Sequence, residues 1–174
     1  MRDRIYIGRF DQSDALRIFR NLDHEDMMEV IVMRGEPYDP LGQLVEWSLA
    51  AQVSISSHVA SIQRGGRLVP FAVMNLARTG HPAVAEAAFL SCSHRAFAWP
   101  LRRLALQIRD ELPGLAERQG LTRIEARCAM HHPTAERLLS ALGFRREAEL
   151  PGYRRETCLQ YAWTAQATPS SEDN

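Results

Sequence analysis

Apolar residues follow two patterns along the chain, one typical of strands and one typical of helices. Each change from one pattern to the other marks a new element. Residues 85–93 (AEAAFLSCS) form a short apolar run typical of a buried strand. A turn at residues 94–99 follows, and Pro100 opens a helix, where its missing N–H costs nothing. The apolar residues of this helix recur at helical spacing: Leu101, Leu104, Ala105, Ile108 and Leu112. The pattern therefore predicts a strand followed by an amphipathic helix.

A second pair of elements follows directly. Residues 122–128 (TRIEARC) read as a strand, and residues 133–142 as a helix ended by Gly143 at the C-cap position. The stretch from Ala85 to Phe144 is thus predicted to be a β-α-β-α unit. A right-handed crossover places the two strands of such a unit side by side, so residues 85–93 and 122–128 are predicted to be adjacent parallel strands that splay at their carboxyl ends. The ligand crevice lies at those ends and faces a helix N-terminus.

The same pattern divides the rest of the chain. The predicted elements before this unit are a strand at 4–10, a helix capped by Asp11 or Ser13 and ending near Asn21, a helical segment at 25–33, a loop at 35–42, a helix at 44–52 that is apolar nearly all round, strands at 58–62 and 68–77 joined through Arg64-Gly65-Gly66, and a turn at 79–82. Those after it are strands at 145–150 and 156–163, joined through Pro151-Gly152, and a disordered polar tail at 165–174. This order predicts an α/β fold with a mixed sheet, in one domain over residues 1–164.

Composition excludes several classes of protein. The formal net charge is +0, so no bulk charge favours nucleic acid or an anionic membrane as a partner. No apolar run approaches the roughly 20 residues of a membrane span, and the N-terminus lacks the apolar core of a signal peptide. Three widely spaced cysteines, Cys92, Cys128 and Cys158, are expected to be buried thiols in a reducing cytosol. No metal site is expected, since His131-His132 is the only close histidine pair and adjacent residues rarely share a metal.

The order of elements, together with residues 132–144 (HPTAERLLSALGF) and a closing strand pair that ends in Tyr-Ala-Trp, resembles the GNAT superfamily of acetyl-CoA-dependent N-acetyltransferases. The resemblance covers about residues 4–163. Ala135, Gly143 and Phe144 match the family motif, His132 stands where the family has asparagine, and Leu139 stands where it has tyrosine. That tyrosine usually protonates the departing CoA thiolate. The resemblance implies a GNAT (acyl-CoA N-acyltransferase) fold with acetyl-CoA as a weakly bound, or lost, co-substrate.

The resemblance also implies where CoA would bind. The family's pyrophosphate loop corresponds here to residues 95–100, in which Arg95 matches and both glycines are replaced. Consecutive backbone N–H groups and the helix dipole hold phosphate in such loops, and Pro100 removes one of these donors. The expected cofactor-binding residues are Ser91, Ser93, Arg95, Ala96, Phe97, Ala98, Trp99, Arg102, Arg103 and His132. Alternatively, the three arginines are solvated surface residues.

Acetyl transfer needs a base for the amine and an acid for the thiolate. The resemblance implies Glu86 and Glu125, in neighbouring strands, as candidate bases, and Tyr153 as the nearest substitute for the missing tyrosine. His94 follows the strand directly, near where the thioester would lie. The alternatives are that Glu125 pairs with Arg123 or Arg127, that His94 is a solvated turn residue, and that Tyr153 packs in a turn.

The chain also resembles short acetyltransferase-like proteins of bacterial viruses, including internal virion proteins of short-tailed phages. Two functions are therefore expected as alternatives. One is an N-acetyltransferase that acts on a small-molecule or protein amine, in the cytoplasm. The other is an inactive GNAT-fold binding or virion protein, with a homodimer or virion assembly as its association.

Overall fold

The computed structural model of the chain describes residues 4–153 and 156–165. These residues form a seven-stranded mixed sheet and five helices. The elements are β1 (Ile5–Arg9), α1 (Gln12–Arg20), α2 (His24–Arg34), α3 (Pro40–Val53), β2 (Ser56–Arg64), β3 (Arg67–Arg78), β4 (Val84–Ser91), α4 (Ala98–Gln119), β5 (Arg123–Ala129), α5 (Pro133–Ala141), β6 (Arg145–Tyr153) and β7 (Glu156–Thr164). The α/β order predicted from the sequence is confirmed.

The strands lie in the order β1-β2-β3-β4-β5-β7-β6. Strand β4 pairs with β5 in parallel, and the other neighbours that the structure describes are antiparallel. The β4–β5 pairing covers three residue pairs, from Val84 with Arg123 to Glu86 with Glu125, and then stops. The prediction that these strands are adjacent and splay at their carboxyl ends is therefore confirmed.

Several predicted boundaries were wrong by a few residues, each for a local reason. Helix α3 begins at Pro40 and not at 44, because the Asp39 side chain accepts from the N–H groups of Leu41 and Gly42. Helix α4 begins at Ala98, two residues before Pro100, which lies in the first turn. Strand β4 ends at Ser91 rather than 93, where the chain turns towards α4.

The C-terminal boundaries also move. Helix α4 continues through Pro113 to Gln119, and Gly120 ends it in the left-handed region with φ 64°. Strand β6 runs on through Pro151-Gly152 to Tyr153. Ala165 donates its N–H to Thr122 O at 3.0 Å, so the first residue of the predicted tail extends the pairing of β7 with β5. Residues 166–174, the rest of that tail, lie outside the described residues.

The core forms two clusters along the sheet. One joins α1, α3, β2 and β3, and the other joins α4, α5, β5 and β7. Phe144 belongs to the second cluster and is 6% exposed, which confirms its predicted place in the core. None of the helices in the described part of the chain is both long and apolar enough to cross a bilayer.

Gly143 ends α5 as predicted, with φ +89°. A Cβ at this position would meet only Trp163 Cδ1 at 3.7 Å, an ordinary contact, so the backbone conformation alone should penalise a side chain. We expect Gly143→Ala to lower the free energy of unfolding by about 1 kcal/mol. Gly80→Ala is the control, because Gly80 has open space and no positive φ. Urea denaturation of both variants checks the prediction, and an equal effect at the two positions would contradict the capping argument.

Candidate functional site

The splayed strands β4 and β5 open a cavity through the middle of the sheet. Its volume is about 1610 Å³, and it is bounded by α2 and α3 as well as by α4 and α5. A pocket for a single drug-sized molecule measures roughly 300–1,000 Å³. This cavity is therefore large enough for two reactants that meet between the strands.

The predicted site residues divide into those that line this cavity and those that do not. The lining residues are Ser91, Arg95, Ala98, Arg102, His132, Glu86 and Tyr153. The others, which lie elsewhere, are Ser93, Ala96, Phe97, Trp99, Arg103 and Glu125. Of the three arginines expected near the start of α4, Arg95 and Arg102 thus line the cavity and Arg103 does not.

Neither of the aromatic residues at the start of α4, Phe97 and Trp99, lines the cavity. The Phe97 ring is buried and stacks on Phe71, with 5.5 Å between the ring centroids. The Arg64 guanidinium lies 4.7 Å from the Phe97 centroid and donates to Ala96 O at 3.2 Å. Trp99 is 43% exposed and carries Arg103 against its ring. The side chains of Phe97, Trp99 and Arg103 are thus held away from the predicted cofactor site.

Arginines pair with both predicted bases. Arg127 Nη1 lies 2.5 Å from Glu86 Oε1, and Arg123 Nε lies 2.8 Å from Glu125 Oε1. The Arg127 guanidinium also lies 5.6 Å from the centre of the Tyr153 ring. These contacts match the alternative in which the carboxylates are ion-paired, and proton abstraction by either would require an arginine to move. The catalytic roles of Glu86 and Glu125 stay predictions.

A cluster that the sequence analysis missed lies where β4 and β5 end. Its centre is Asp26 of α2, which is 5% exposed. Asp26 Oδ1 lies 2.9 Å from His94 Nε2 and 2.9 Å from His132 Nε2, and Asp26 Oδ2 accepts from the Ser91 N–H at 2.6 Å. Asp26 therefore joins three segments that are far apart in the sequence.

Further carboxylates surround the two imidazole rings. His94 Nδ1 faces Asp23 Oδ1 at 3.3 Å and Glu25 Oε2 at 3.4 Å. Glu29 Oε2 accepts from the Ala129 N–H at the end of β5, at 3.0 Å. Helix α2 and its N-cap residue thus place four carboxylates against two histidines, from Asp23, Glu25, Asp26 and Glu29.

These contacts set the protonation states in the cluster. Burial opposes ionisation of Asp26, but the hydrogen bonds from His132 and His94 outweigh it and hold its pKa below the usual value. Burial also disfavours a charged His94, but the hydrogen bond to Asp26 and the negative charges of Asp26 and Asp23 together outweigh burial and raise the pKa of His94. Burial raises the pKa of Glu29.

His132 connects helix α5 to the cluster. As the N-cap of α5, it accepts the Ala135 N–H on Nδ1 at 3.1 Å, and its Nε2 faces Asp26. A ring that accepts on Nδ1 and donates from Nε2 is the neutral tautomer. Both ring nitrogens are therefore occupied within the protein, so a cofactor contact through them would require one of these bonds to break.

Comparison with known proteins identifies the fold. No model of a known protein family matches the chain, and no curated protein matches it. Among solved structures, a GNAT-family acetyltransferase from Bacillus anthracis superposes with a TM-score of 0.68 at 14% identity, over 94% of this chain and 96% of that one. AAC(6')-Ib, in complex with ribostamycin and coenzyme A, gives 0.67 at 16% identity over 98% of both chains. The yncA protein of Salmonella typhimurium, with its cofactor acetyl-CoA, superposes with a TM-score of 0.62 at 16% identity, over 98% of this chain and 99% of that one.

The chain has the GNAT fold. The fold expected from residues 132–144 is thereby confirmed. Within this GNAT fold, Leu139 is buried in the cluster between α5 and β5, at the motif position of the family tyrosine. Among the described residues, Tyr153 is the tyrosine that lines the cavity.

Proposed function

We propose that the chain is an N-acyltransferase that uses acetyl-CoA as the donor and an amine as the acceptor. The observation that carries this proposal is the cavity through the sheet, which offers separate space beside α4 and α5 and beside α2 and α3. Transfer forms a bond between the amine nitrogen and the acyl carbon and breaks the bond from that carbon to sulfur. The amine loses a proton, and the thiolate gains one.

Guanidinium groups support a phosphate-bearing donor beside α4. Arg95 and Arg102 line the cavity at the N-terminal end of this helix, and the described structure gives neither an ion pair with a carboxylate. Cations at a helix N-terminus are unfavourable to the dipole unless an anion joins them. The two arginines therefore fit the phosphates of CoA, and we assign them to bind and orient that end of the donor.

Carboxylates support a cationic acceptor beside α2 and α3. The cavity wall there includes the side chains of Asp26, Glu29, Glu36 and Glu46. Two of the structurally similar proteins are a spermidine N-acetyltransferase chimera and AAC(6')-Ib in complex with ribostamycin and coenzyme A. An acidic wall would hold such an ammonium group near the opening between β4 and β5, where the acyl carbon would lie.

Proton transfer is assigned to groups that line the same cavity. Tyr153 is our candidate for protonating the thiolate, and Glu86, once released from Arg127, is our candidate base. Glu125 does not line the cavity and contacts Arg123 and Arg127, so we assign it to position these arginines. The phage origin, the cytoplasmic location and the homodimer or virion assembly stay predictions.

Replacing Arg95 tests the donor site. We expect Arg95→Ala to weaken CoA binding about ten- to a hundredfold, because a hydrogen bond to a charged group contributes roughly 1.5–3 kcal/mol. The measurement is calorimetric titration of CoA into the purified protein. Arg109→Ala is the control, since Arg109 is on the same helix, does not line the cavity and contacts Asp110. CoA binding that is indifferent to Arg95 would show that the site is misplaced, and an absence of CoA binding would leave the inactive alternative.

A further inference from the structure

Helix α3 buries polar side chains and exposes apolar ones. Its two buried residues are Gln43 and Trp47, which are 6% and 7% exposed. They are four positions apart and therefore neighbours on one face of the helix. The other face carries apolar side chains that are 55–79% exposed: Leu41, Val45, Leu49 and Val53. A helix on a protein surface normally turns its apolar residues to the core, so packing does not explain the buried glutamine.

Both buried residues of α3 carry a polar atom that makes no hydrogen bond in the part of the chain that the structure describes. Gln43 contributes the acceptor Oε1, and Trp47 contributes the donor Nε1–H of its indole ring. Both residues line the cavity between the splayed strands. A buried polar group without a partner destabilises the fold, so such groups beside a cavity fit a bound molecule that pairs with them.

Two more unpartnered oxygens lie on the strands beside this helix. Asn75 Oδ1 of β3 and Ser57 Oγ of β2 are buried and have no partner among the described residues. These residues are opposite one another in the β2–β3 register, so their side chains are neighbours on one face of the sheet. Helix α3 contacts β3, and Asn75 lines the same cavity as the two residues of α3.

The register also places Asn75 near the opening between β4 and β5. Asn75 pairs with Ala88 of β4, which itself lines the cavity. Ala88 is two residues past Glu86, where the pairing of β4 with β5 ends. The unpartnered polar atoms thus extend from α3 towards the place where the acyl carbon would lie. We call Gln43, Trp47, Ser57 and Asn75 the polar wall.

We propose that the polar wall binds hydroxyl groups of the acceptor, and that the acceptor is an amine with several hydroxyls on a ring, such as an aminosugar or an aminocyclitol. This inference rests on the acyltransferase function proposed above. A hydroxyl both donates and accepts, so it can pair with the indole N–H of Trp47 as well as with the three oxygens. An ammonium group only donates and cannot pair with that N–H.

The two parts of the acceptor side recognise different groups. The carboxylates beside α2 and α3 fit the ammonium group of any amine, whereas the polar wall discriminates between amines of equal charge. A site built to bind a substrate hydroxyl rejects the analogue without it, because the buried groups of the site are then left unpaired. An amine without hydroxyls should therefore bind more weakly than its hydroxylated counterpart.

Calorimetric titration of two ring diamines into the purified full-length chain, with CoA present, tests the proposal. The probes are 2-deoxystreptamine, which carries hydroxyls, and cis-1,3-diaminocyclohexane, which has the same ring and amines without them. We expect 2-deoxystreptamine to bind at least about tenfold more tightly. Equal affinity for the two diamines would overturn the proposal, as would binding of neither.

Two variants locate the preference on the polar wall. Gln43→Leu removes the buried acceptor, and Trp47→Phe removes the donor but keeps an aromatic ring. Each should weaken binding of 2-deoxystreptamine about tenfold and leave that of the diaminocyclohexane unchanged. Gln52→Leu is the matched control, because Gln52 is an exposed glutamine of the same helix and does not line the cavity. It should leave both affinities unchanged.

The melting temperature separates this role from a structural one. Gln43→Leu should not lower it, because an apolar side chain replaces an unpaired buried oxygen. A lower melting temperature with an unchanged preference would make Gln43 structural and overturn its assignment, and Trp47→Phe provides the test if Gln43→Leu does not fold. An unchanged preference in both variants would overturn the polar wall.

The proposed function can fail separately. Acetyl-CoA then replaces CoA, and mass spectrometry follows both diamines. A preference in binding without acetylation would overturn the acyltransferase function and support the polar wall. Equal acetylation of both diamines would support the acyltransferase function and overturn the polar wall.

Discussion

Phe144→Ala should lower the free energy of unfolding by about 3–5 kcal/mol, the usual cost of removing a buried aromatic side chain. Phe144 is 6% exposed and packs in the cluster that joins α4, α5, β5 and β7. It directly follows Gly143, whose positive φ ends α5, and its N–H donates to Leu139 O at 3.0 Å. The ring therefore fixes the turn between α5 and β6, and its loss leaves a cavity that this constrained turn cannot close.

Urea denaturation followed by circular dichroism measures this effect. Leu68→Ala is the control, because Leu68 is 55% exposed, and substitutions at such surface positions change stability by less than about 0.5 kcal/mol. A loss below about 1 kcal/mol for Phe144→Ala would contradict the packing described for this cluster.

The second large loss of stability is expected for Asp26→Asn, which should lower the free energy of unfolding by about 3 kcal/mol. The carboxylate accepts from Ser91 N and faces Nε2 of both His94 and His132. Asparagine has one acceptor oxygen, and its NH₂ group would point at a donor. At least one buried N–H then loses its partner, and α2 is less firmly held against the ends of β4 and β5.

Urea denaturation followed by circular dichroism measures the free energy of unfolding of this variant and of its control. Asp110→Asn on α4 is the matched control, since the Asp110 side chain is 71% exposed. Equal stability of the two variants would show that Asp26 does not join these segments.

Much of the fold could be predicted from local sequence patterns, and the structure confirms the elements they indicate. Alternation in β1, the glycine pair between β2 and β3, and the helical spacing after Pro100 depend on residues close in sequence. The parallel pairing of β4 with β5 followed from the right-handed crossover that a β-α-β unit adopts. These features needed no knowledge of distant contacts.

Helix boundaries were predicted less well, because single side chains decide them. Asp39 caps α3 so that the helix begins at Pro40, four residues before the predicted start at Leu44, and Pro40 fits the first turn that this cap creates. In α4, Pro113 and Gly114 do not end the helix, because the apolar face continues with Leu112 and Ala116 in the core. Packing outweighs local propensity there.

The acid–imidazole cluster could not be predicted from spacing. Asp26, His94 and His132 are separated by 68 and 38 positions, and only the splaying of β4 from β5 brings them together. His131 and His132 are the close histidine pair in the sequence, whereas in the fold the rings of His94 and His132 lie with their centroids 5.7 Å apart. The one local signal was the run of acids in α2, where Asp26 and Glu29 share a face at helical spacing.

Acyl transfer itself tests the central claim most directly. The purified chain is incubated with acetyl-CoA and a panel of amines that includes polyamines and aminosugars, and mass spectrometry follows the acceptors. We expect acceptor that is heavier by one acetyl group, together with an equal amount of CoA, and a slower reaction for Arg95→Ala but not for Arg109→Ala. Acetyl-CoA that stays intact with every amine, in a protein that does not bind CoA, would contradict the account.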